Sequence, residues 1–128
     1  LPTVHETIAP PPSAKVWFEG EWDPVAAAER GESFQVRGGP GTGKSTIAKD
    51  IVEAVSLQKH VYVLSFTNSA VATLEKEEDE RVKYMTCDRF IRRVLHRNLL
   101  RTPCLILWDE IVLEHVAPGQ NVQNRHIR

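Results

Sequence analysis

The chain has 128 residues, of which 41% are hydrophobic and 26% are charged, and its formal net charge is −1 at pH 7. This length is enough for one domain with a hydrophobic core, and the near-neutral charge argues against a uniformly basic nucleic-acid-binding surface while leaving local basic patches open. No apolar run is long enough to span a membrane and no signal peptide is visible, so we expect no membrane partner.

The N-terminal part of the chain is rich in proline. Residues 1–14 contain four prolines and are predicted to form an extended linker, which leaves residues 15–128 for the folded domain. The chain begins at Leu1 rather than Met and stops soon after a strand-like segment, which favours a truncated piece of a longer protein. The aromatic segment 16–22 either docks on the domain or stacks on an adenine ring.

A short helix is predicted just before the first core strand. Asp23 suits the capping position, Pro24 suits the first helical position, and Gly31 can end the helix. The β-prone segment 33–37 follows and is predicted to be the first strand of the core.

A glycine-rich loop follows this strand and matches the phosphate-binding pattern G-x-x-x-x-G-K-[ST] at every fixed position. Glycine lets the backbone approach phosphates closely, Lys44 can reach the β- and γ-phosphates, and the Ser45 hydroxyl is a suitable Mg²⁺ ligand. Apolar residues at helical spacing then predict a helix whose N-terminus faces the phosphates. The residues predicted to bind the nucleotide are Gly38, Gly39, Pro40, Gly41, Thr42, Gly43, Lys44, Ser45 and Thr46.

A second buried strand is predicted at 60–66, because this segment is almost entirely apolar and β-prone. It ends at Thr67, Asn68 and Ser69, where the chain enters another helix. Polar groups at the carboxyl end of such a strand lie where open α/β sheets bind ligands, and they could contact a nucleic-acid backbone. The alternative is that Thr67 or Asn68 only caps the helix.

The middle of the chain combines an acidic run with a basic helix. The acidic run at 75–80 is expected to be solvated, and a third strand is predicted at 82–86. A helix at 89–98, with Asp88 as its cap, would carry an apolar face and a basic face. That basic face is either a plain solvated surface or a phosphate-contacting patch, and it contains Arg89, Arg92, Arg93, His96 and Arg97.

The continuous apolar run at 104–108 predicts a further buried strand, which ends in two carboxylates. In a chain with a phosphate-binding loop, Asp109 can hold Mg²⁺ directly or through water, and Glu110 can polarise the water that attacks the γ-phosphate. Beyond this pair, Val112 and Leu113 are expected to continue into a loop or a helix.

Four segments in this order resemble motifs of superfamily 1 helicases. Residues 38–46 look like motif I, residues 66–74 resemble motif Ia, and residues 105–110 resemble motif II with its Asp-Glu pair. Residues 86–90 are similar to a Thr-x-His/Asp-x-Phe/Leu segment of Pif1- and RecD-like members. The resemblance covers roughly residues 33–114; a motif III glutamine is not clearly placed, although Gln120 and Gln123 are candidates.

The resemblance implies the first RecA-like domain of an ATP- and Mg²⁺-dependent helicase, a three-layer α/β P-loop NTPase with a mainly parallel sheet. Lys44 and Glu110 would be catalytic, with Ser45 and Asp109 as Mg²⁺ ligands. The expected partners are single-stranded nucleic acid, with DNA as the expected type in this family, and a second RecA-like domain that carries the arginine finger. Without that second domain the chain would be poorly active. The residues that would contact the nucleic acid are Thr67, Asn68, Ser69, Thr86 and Arg89.

Two other functional classes remain open. Another P-loop ATPase, of AAA+ or viral packaging type and without helicase activity, would use the same loop and the Asp-Glu pair, with Thr67 and Thr86 acting only as caps. A non-catalytic nucleotide-sensing module is the third hypothesis, and the intact Lys44 and Glu110 argue against it. Cys87 and Cys104 lack C-x-x-C spacing, so we expect free thiols and an intracellular location, whether nuclear, cytoplasmic or viral, rather than secretion.

Overall fold

The computed structural model describes residues 4–5, 17–18, 23–37, 44–69, 71, 80–109 and 112–123. The strands are β1 (Val4–His5), β2 (Trp17–Phe18), β3 (Phe34–Arg37), β4 (His60–Ser65), β5 (Val82–Thr86), β6 (Cys104–Trp108) and β7 (Val112–Val116). The helices are α1 (Pro24–Glu29), α2 (Lys44–Val55) and α3 (Cys87–Phe90), and a π-helical turn (Ile91–Leu95) continues α3. The four core strands predicted from the sequence are therefore confirmed, with ends that differ by at most one residue.

The strands form one mixed sheet rather than the mainly parallel sheet that was expected. Five strands of four to six residues lie in the order β3-β7-β6-β4-β5, and β1 and β2 extend the sheet beyond β3. β4 pairs in parallel with both β5 and β6, whereas β7 pairs antiparallel with β6 and with β3. Consequently β3, β4, β5 and β6 all point the same way, and β7 runs against them from within the sheet.

The direction of β7 follows from the length of its connection to β6. Trp108 is the register partner of Val112, so residues 109–111 alone join the two strands. A parallel pairing would need a crossover of a dozen or more residues, and such a short connection allows an antiparallel hairpin instead. Asp109 begins the reversal with φ +56, a left-handed conformation that aspartate adopts more readily than most residues. The expectation of a loop or helix at Val112 and Leu113 is therefore wrong.

Helices cover both faces of the sheet, which gives the three layers predicted from the sequence. One buried cluster joins α1 and α2 to alternate side chains of the strands, and it includes Ala28, Ile51, Val55, Leu107 and Leu113. The second cluster joins α3 and its π-helical continuation to the other face, and it includes Tyr62, Phe90, Val94, Ile106 and Trp108. The period-2 alternation of β6 thus divides its residues between two cores, which explains why the whole strand is apolar.

The cap of α1 is the one predicted. The Asp23 carboxylate accepts hydrogen bonds from the backbone N–H groups of Val25 (3.0 Å) and Ala26 (3.2 Å). Pro24 occupies the first helical position, and Gly31 follows the helix with φ +87, which suits a residue without a side chain. These contacts hold the entry to β3 in place.

The cap of α3 differs from the predicted one. The Thr86 hydroxyl, not the Asp88 carboxylate, accepts the backbone N–H of Arg89 at 3.1 Å. Asp88 lies in the first helical turn and forms an ion pair with Arg92 at 2.9 Å. The helix begins two residues earlier than predicted because Cys87 is buried and belongs to the core rather than to the preceding loop.

The N-terminal strands lie at the β3 edge of the sheet. β1 pairs antiparallel with β3 and β2 pairs with β1, so Val4–His5 contributes to the sheet from within the stretch predicted to be a linker. None of the helices in the described part of the chain is long and apolar enough to cross a membrane.

Phe90 should be a major contributor to stability, because it is fully buried between the rings of Tyr62 and Trp108. We expect Phe90→Ala to lower the free energy of unfolding by about 3–5 kcal/mol, the usual cost of removing a buried aromatic ring. Phe66 is 54% exposed, so Phe66→Ala is the matched control and should cost less than about 1 kcal/mol. Urea denaturation of the two variants checks this, and equal losses would contradict the assigned packing.

Candidate functional site at one edge of the sheet

The carboxyl ends of four strands lie along a single edge of the sheet, since β3, β4, β5 and β6 share one direction. The segments that follow these strands are the ones singled out from the sequence. Neighbouring strands are about 4.8 Å apart, so β3 and β6 are roughly 10 Å apart across β7, whereas β6, β4 and β5 are direct neighbours. This edge is the candidate site, and we call it the carboxyl edge.

The phosphate-binding loop connects β3 to α2 at the carboxyl edge. α2 begins at Lys44, at the end of the loop, and is held against the sheet by buried Ile51 and Val55. A helix of twelve residues that starts here directs the partial positive charge of its N-terminus to this edge.

Most nucleotide-binding predictions concern residues whose atoms the structure does not describe. Thr46 is exposed in the first turn of α2. The side chains of Lys44 and Ser45 are not described, and the loop residues lie outside the described part of the chain: Gly38, Gly39, Pro40, Gly41, Thr42 and Gly43. Their assignment to the nucleotide stays a prediction.

Asp109 lies at the end of β6, on the same edge as the loop. Its backbone N–H donates to the carbonyl of Leu64 on the neighbouring strand at 2.9 Å, which fixes the start of the reversal. Burial raises the pKa of the Cys87 thiol to about 11, and the Asp109 carboxylate adds to the rise because its negative charge opposes formation of a thiolate. The Asp109 side chain therefore lies close enough to α3 to act on it electrostatically. Glu110 lies outside the described residues.

Thr67, Asn68 and Ser69 follow β4 and are exposed at the carboxyl edge. The backbone N–H of Thr67 donates to the Ser65 hydroxyl at 3.3 Å, and the Thr67 carbonyl accepts the N–H of Val71 at 3.4 Å. The Thr67 backbone thus forms the start of a helical turn, while all three polar side chains remain accessible to a ligand.

Thr86 and Arg89 reach the same edge from β5. Thr86 is the register partner of Ser65, so the segments after β4 and β5 begin side by side. The Thr86 hydroxyl oxygen is used in capping α3, which still leaves its proton as a hydrogen-bond donor. Arg89 is exposed in the first turn of the helix. The structure therefore brings Thr86 and Arg89 together with Thr67, Asn68 and Ser69.

The basic face predicted for this helix is present on α3 and its π-helical continuation. Arg92 is paired with Asp88, but both side chains are largely exposed, and such ion pairs contribute little to stability. Arg89, Arg93, His96 and Arg97 are also exposed. The face is a concentrated positive surface on the helix that follows β5.

Two ring contacts fix this helix to the strand that carries Asp109. Phe90 packs edge-on against Trp108 with ring centroids 5.6 Å apart, and it packs against Tyr62 at 5.2 Å. Trp108 immediately precedes Asp109 in the chain. A displacement of either segment is therefore resisted by the packing of the other.

Sequence reasoning missed the polar residues of β7. Glu114 is buried, and its carboxylate accepts hydrogen bonds from the indole N–H of Trp108 at 3.1 Å and from the backbone N–H of Gln123. The available signal was the indole itself, because a buried tryptophan N–H requires an acceptor. Gln120 caps a turn at the opposite edge of the sheet, which removes it as a candidate motif III residue beside the loop.

The residues at the carboxyl edge suit a nucleotide with Mg²⁺. A half-buried carboxylate, Asp109, and the N-terminus of α2 lie on the same edge, and carboxylate oxygen is a preferred ligand of Mg²⁺. Ser45 is the second predicted ligand and is the second residue of the same helix.

Comparison with known proteins identifies the family. The AAA domain family matches residues 22–123, which includes every core strand and helix described above. No curated protein and no solved structure matches the chain. Since the match spans most of the chain, the protein is a nucleotide-binding P-loop NTPase and belongs to the AAA domain family.

Proposed function

We propose that this chain is the ATP-hydrolysing motor domain of a superfamily 1 DNA helicase of Pif1/RecD type. In this proposal ATP hydrolysis is coupled to translocation along single-stranded nucleic acid, and a second RecA-like domain completes the site. AAA domains of this type occur in UvrD- and Pif1-like helicases, which supports the assignment.

One observation carries the proposal: the segments predicted to contact nucleic acid lie beside the strand predicted to serve the nucleotide. Residues 67–69 follow β4, and residues 86–89 include the end of β5 and the start of α3. β4 is also the direct neighbour of β6, and Asp109 follows β6. The Asp109 carboxylate also acts on the pKa of Cys87, the first residue of α3. Hydrolysis of a nucleotide bound near Asp109 could therefore affect the neighbouring segments that are predicted to contact nucleic acid.

The chemistry assigned to each residue follows from its type. Lys44 neutralises negative charge on the phosphates as the terminal group is transferred, and the Glu110 carboxylate orients the attacking water. Mg²⁺ would be held by Ser45 and Asp109, and when bound it supplies further neutralisation of the phosphate charge. The glycine-rich backbone binds the phosphates through its N–H groups and the N-terminus of α2.

The coupling assigned to this domain depends on rigid packing. Phe90 links α3 to β4 and β6, so movement of the carboxyl edge around Asp109 would move Arg89 and Thr86 as one body. Exposed Thr67, Asn68, Ser69 and the basic face would bind the sugar-phosphate backbone, which carries no sequence information and suits translocation along any sequence.

The second candidate is a P-loop ATPase without helicase activity. The observation that favours it is the capping bond of Thr86, which accounts for this residue without any nucleic acid. ATP hydrolysis by the full-length protein, measured with and without single-stranded DNA, separates the two candidates. Stimulation by the strand supports the helicase proposal, and hydrolysis indifferent to DNA supports the alternative.

Lys44→Ala should reduce ATP turnover by about 100-fold or more, because it removes charge stabilisation worth roughly 3 kcal/mol in the transition state. The measurement is kcat/KM for ATP in the full-length protein. Lys49→Ala is the matched control, because Lys49 is exposed further along the same helix. This variant should turn over ATP normally. Near-normal turnover of Lys44→Ala would refute the loop assignment.

Glu110→Gln should retain ATP binding and lose hydrolysis, because the amide keeps the size of the side chain but cannot act as a base. Nucleotide affinity by calorimetry and single-turnover hydrolysis distinguish the two effects. Glu53→Gln, at an exposed position of α2, serves as the control for loss of one carboxylate. Loss of binding in Glu110→Gln would instead assign Glu110 a structural role.

Replacing Arg89, Arg93 and Arg97 by Ala should weaken single-stranded DNA binding and flatten its dependence on salt. Each lost phosphate contact lowers the slope of log K against log salt by about 0.7, so three contacts would lower it by about 2. Fluorescence anisotropy at several salt concentrations measures this slope. Arg30 lies between α1 and β3 at the opposite edge, so Arg30→Ala is the control and should leave the salt slope unchanged. If the triple variant has the same slope as the unmodified protein, the basic face is a plain solvated surface.

A further inference from the structure

A cavity of about 280 Å³ opens at the edge of the sheet opposite the carboxyl edge. Its walls come from segments distant in the sequence: Ser33 precedes β3, Lys59 precedes β4, Pro103 precedes β6, and Gln120 follows β7. The described residues that are predicted to bind nucleotide or nucleic acid lie at the other edge of the sheet, so neither role explains this cavity.

Lys59 supplies a positive charge at this cavity. Its ammonium group lies 3.1 Å from Nδ1 of His115, which lines the same cavity. Burial, together with the nearby charge of Lys59, lowers the pKa of His115 to about 4, so the imidazole is neutral at pH 7 and accepts a hydrogen bond from the ammonium. A neutral His115 therefore does not neutralise the charge of Lys59.

Two further donors complete the lining. The Ser33 hydroxyl oxygen accepts the backbone N–H of His115 at 3.2 Å, and its own proton remains to be donated. The Gln120 side-chain oxygen accepts the backbone N–H of Ala117 at 3.1 Å, which leaves the amide NH₂ as a donor. No aspartate or glutamate is among the described residues that line the cavity.

We propose that this cavity binds a small phosphate-type oxyanion, either free phosphate or the phosphate group of a small monoester, with Lys59, Ser33 and Gln120 as its donors. One ammonium, one hydroxyl and one amide match the acceptor-only character of a phosphate group, whose hydrogen bonds to charged donors are the strong ones. A volume of about 280 Å³ admits phosphate and a small substituent. The site is separate from the phosphate-binding loop and does not depend on the proposed helicase function.

The test is a titration of the chain with inorganic phosphate, in which NMR monitors the backbone amide resonances of Gly31, Ala117 and Gln120. We expect saturable shifts at these positions. Glycerol phosphate and acetate are parallel titrations: binding of glycerol phosphate shows that a monoester is admitted, and acetate should bind more weakly. The Lys44→Ala variant should show the same shifts, which separates this cavity from the phosphate-binding loop.

Substitutions that each make the net charge more negative by one test the individual donors, because a general charge effect would be the same in all of them. Lys59→Gln should weaken phosphate binding about tenfold or more, as expected for the loss of a charge-assisted hydrogen bond, while Lys59→Arg should retain it. Gln120→Glu keeps the oxygen that accepts the Ala117 N–H but places a negative charge in the lining, so it should also weaken binding about tenfold or more without disturbing the turn. Lys49→Gln, on the exposed side of α2, is the control and should bind phosphate normally.

Saturable shifts that Lys59→Gln or Gln120→Glu removes and Lys49→Gln preserves would establish the site. Shifts that are absent, that do not saturate, or that are equally reduced in Lys49→Gln would overturn it, because the response would then be a general charge effect. If Lys59→Gln does not fold, Gln120→Glu decides alone, since Gln120 is exposed and its turn is kept.

Discussion

The tight reversal after Trp108 is the constraint on which the arrangement of the sheet depends. Three residues cannot carry the chain back for a parallel pairing, so β7 runs antiparallel and lies between β6 and β3. The strand that precedes the phosphate-binding loop is thereby separated from the strand that carries Asp109. At the same time β3 keeps the direction of β4, β5 and β6, and all four ends meet at the carboxyl edge.

Local signals predicted most of the fold because they depend on neighbouring residues. Asp23 and Pro24 fix the start of α1, and the apolar run at 104–108 identifies a strand that is buried on both faces. The position of β7 inside the sheet was missed because it depends on pairing with β3, which lies far away in the sequence. The cap of α3 was missed because two candidate oxygens, on Thr86 and Asp88, stand close together, and burial of Cys87 decides between them.

The same contrast applies to the candidate site. The loop pattern and the position of Asp109 after an apolar strand could be found in the sequence, because the chemistry of phosphate binding requires those residue types. The cavity around Lys59 could not, since Ser33, Lys59, His115 and Gln120 come from four separate segments and match no motif. For Glu114 the only signal in the sequence was the indole N–H of Trp108, which needs an acceptor, and the hairpin decides which residue supplies it.

The pairing of β3 also determines when the domain can be completed during synthesis. Phe34 is the register partner of Leu113, so the strand that leads into the phosphate-binding loop can pair with its inner neighbour only after residues up to β7 have left the ribosome. The β6–β7 hairpin is local and can form at once, whereas β3 must wait for a contact of long sequence separation. A nascent chain that ends before β7 therefore has no inner position in the sheet for β3, the strand that precedes the phosphate-binding loop in the sequence.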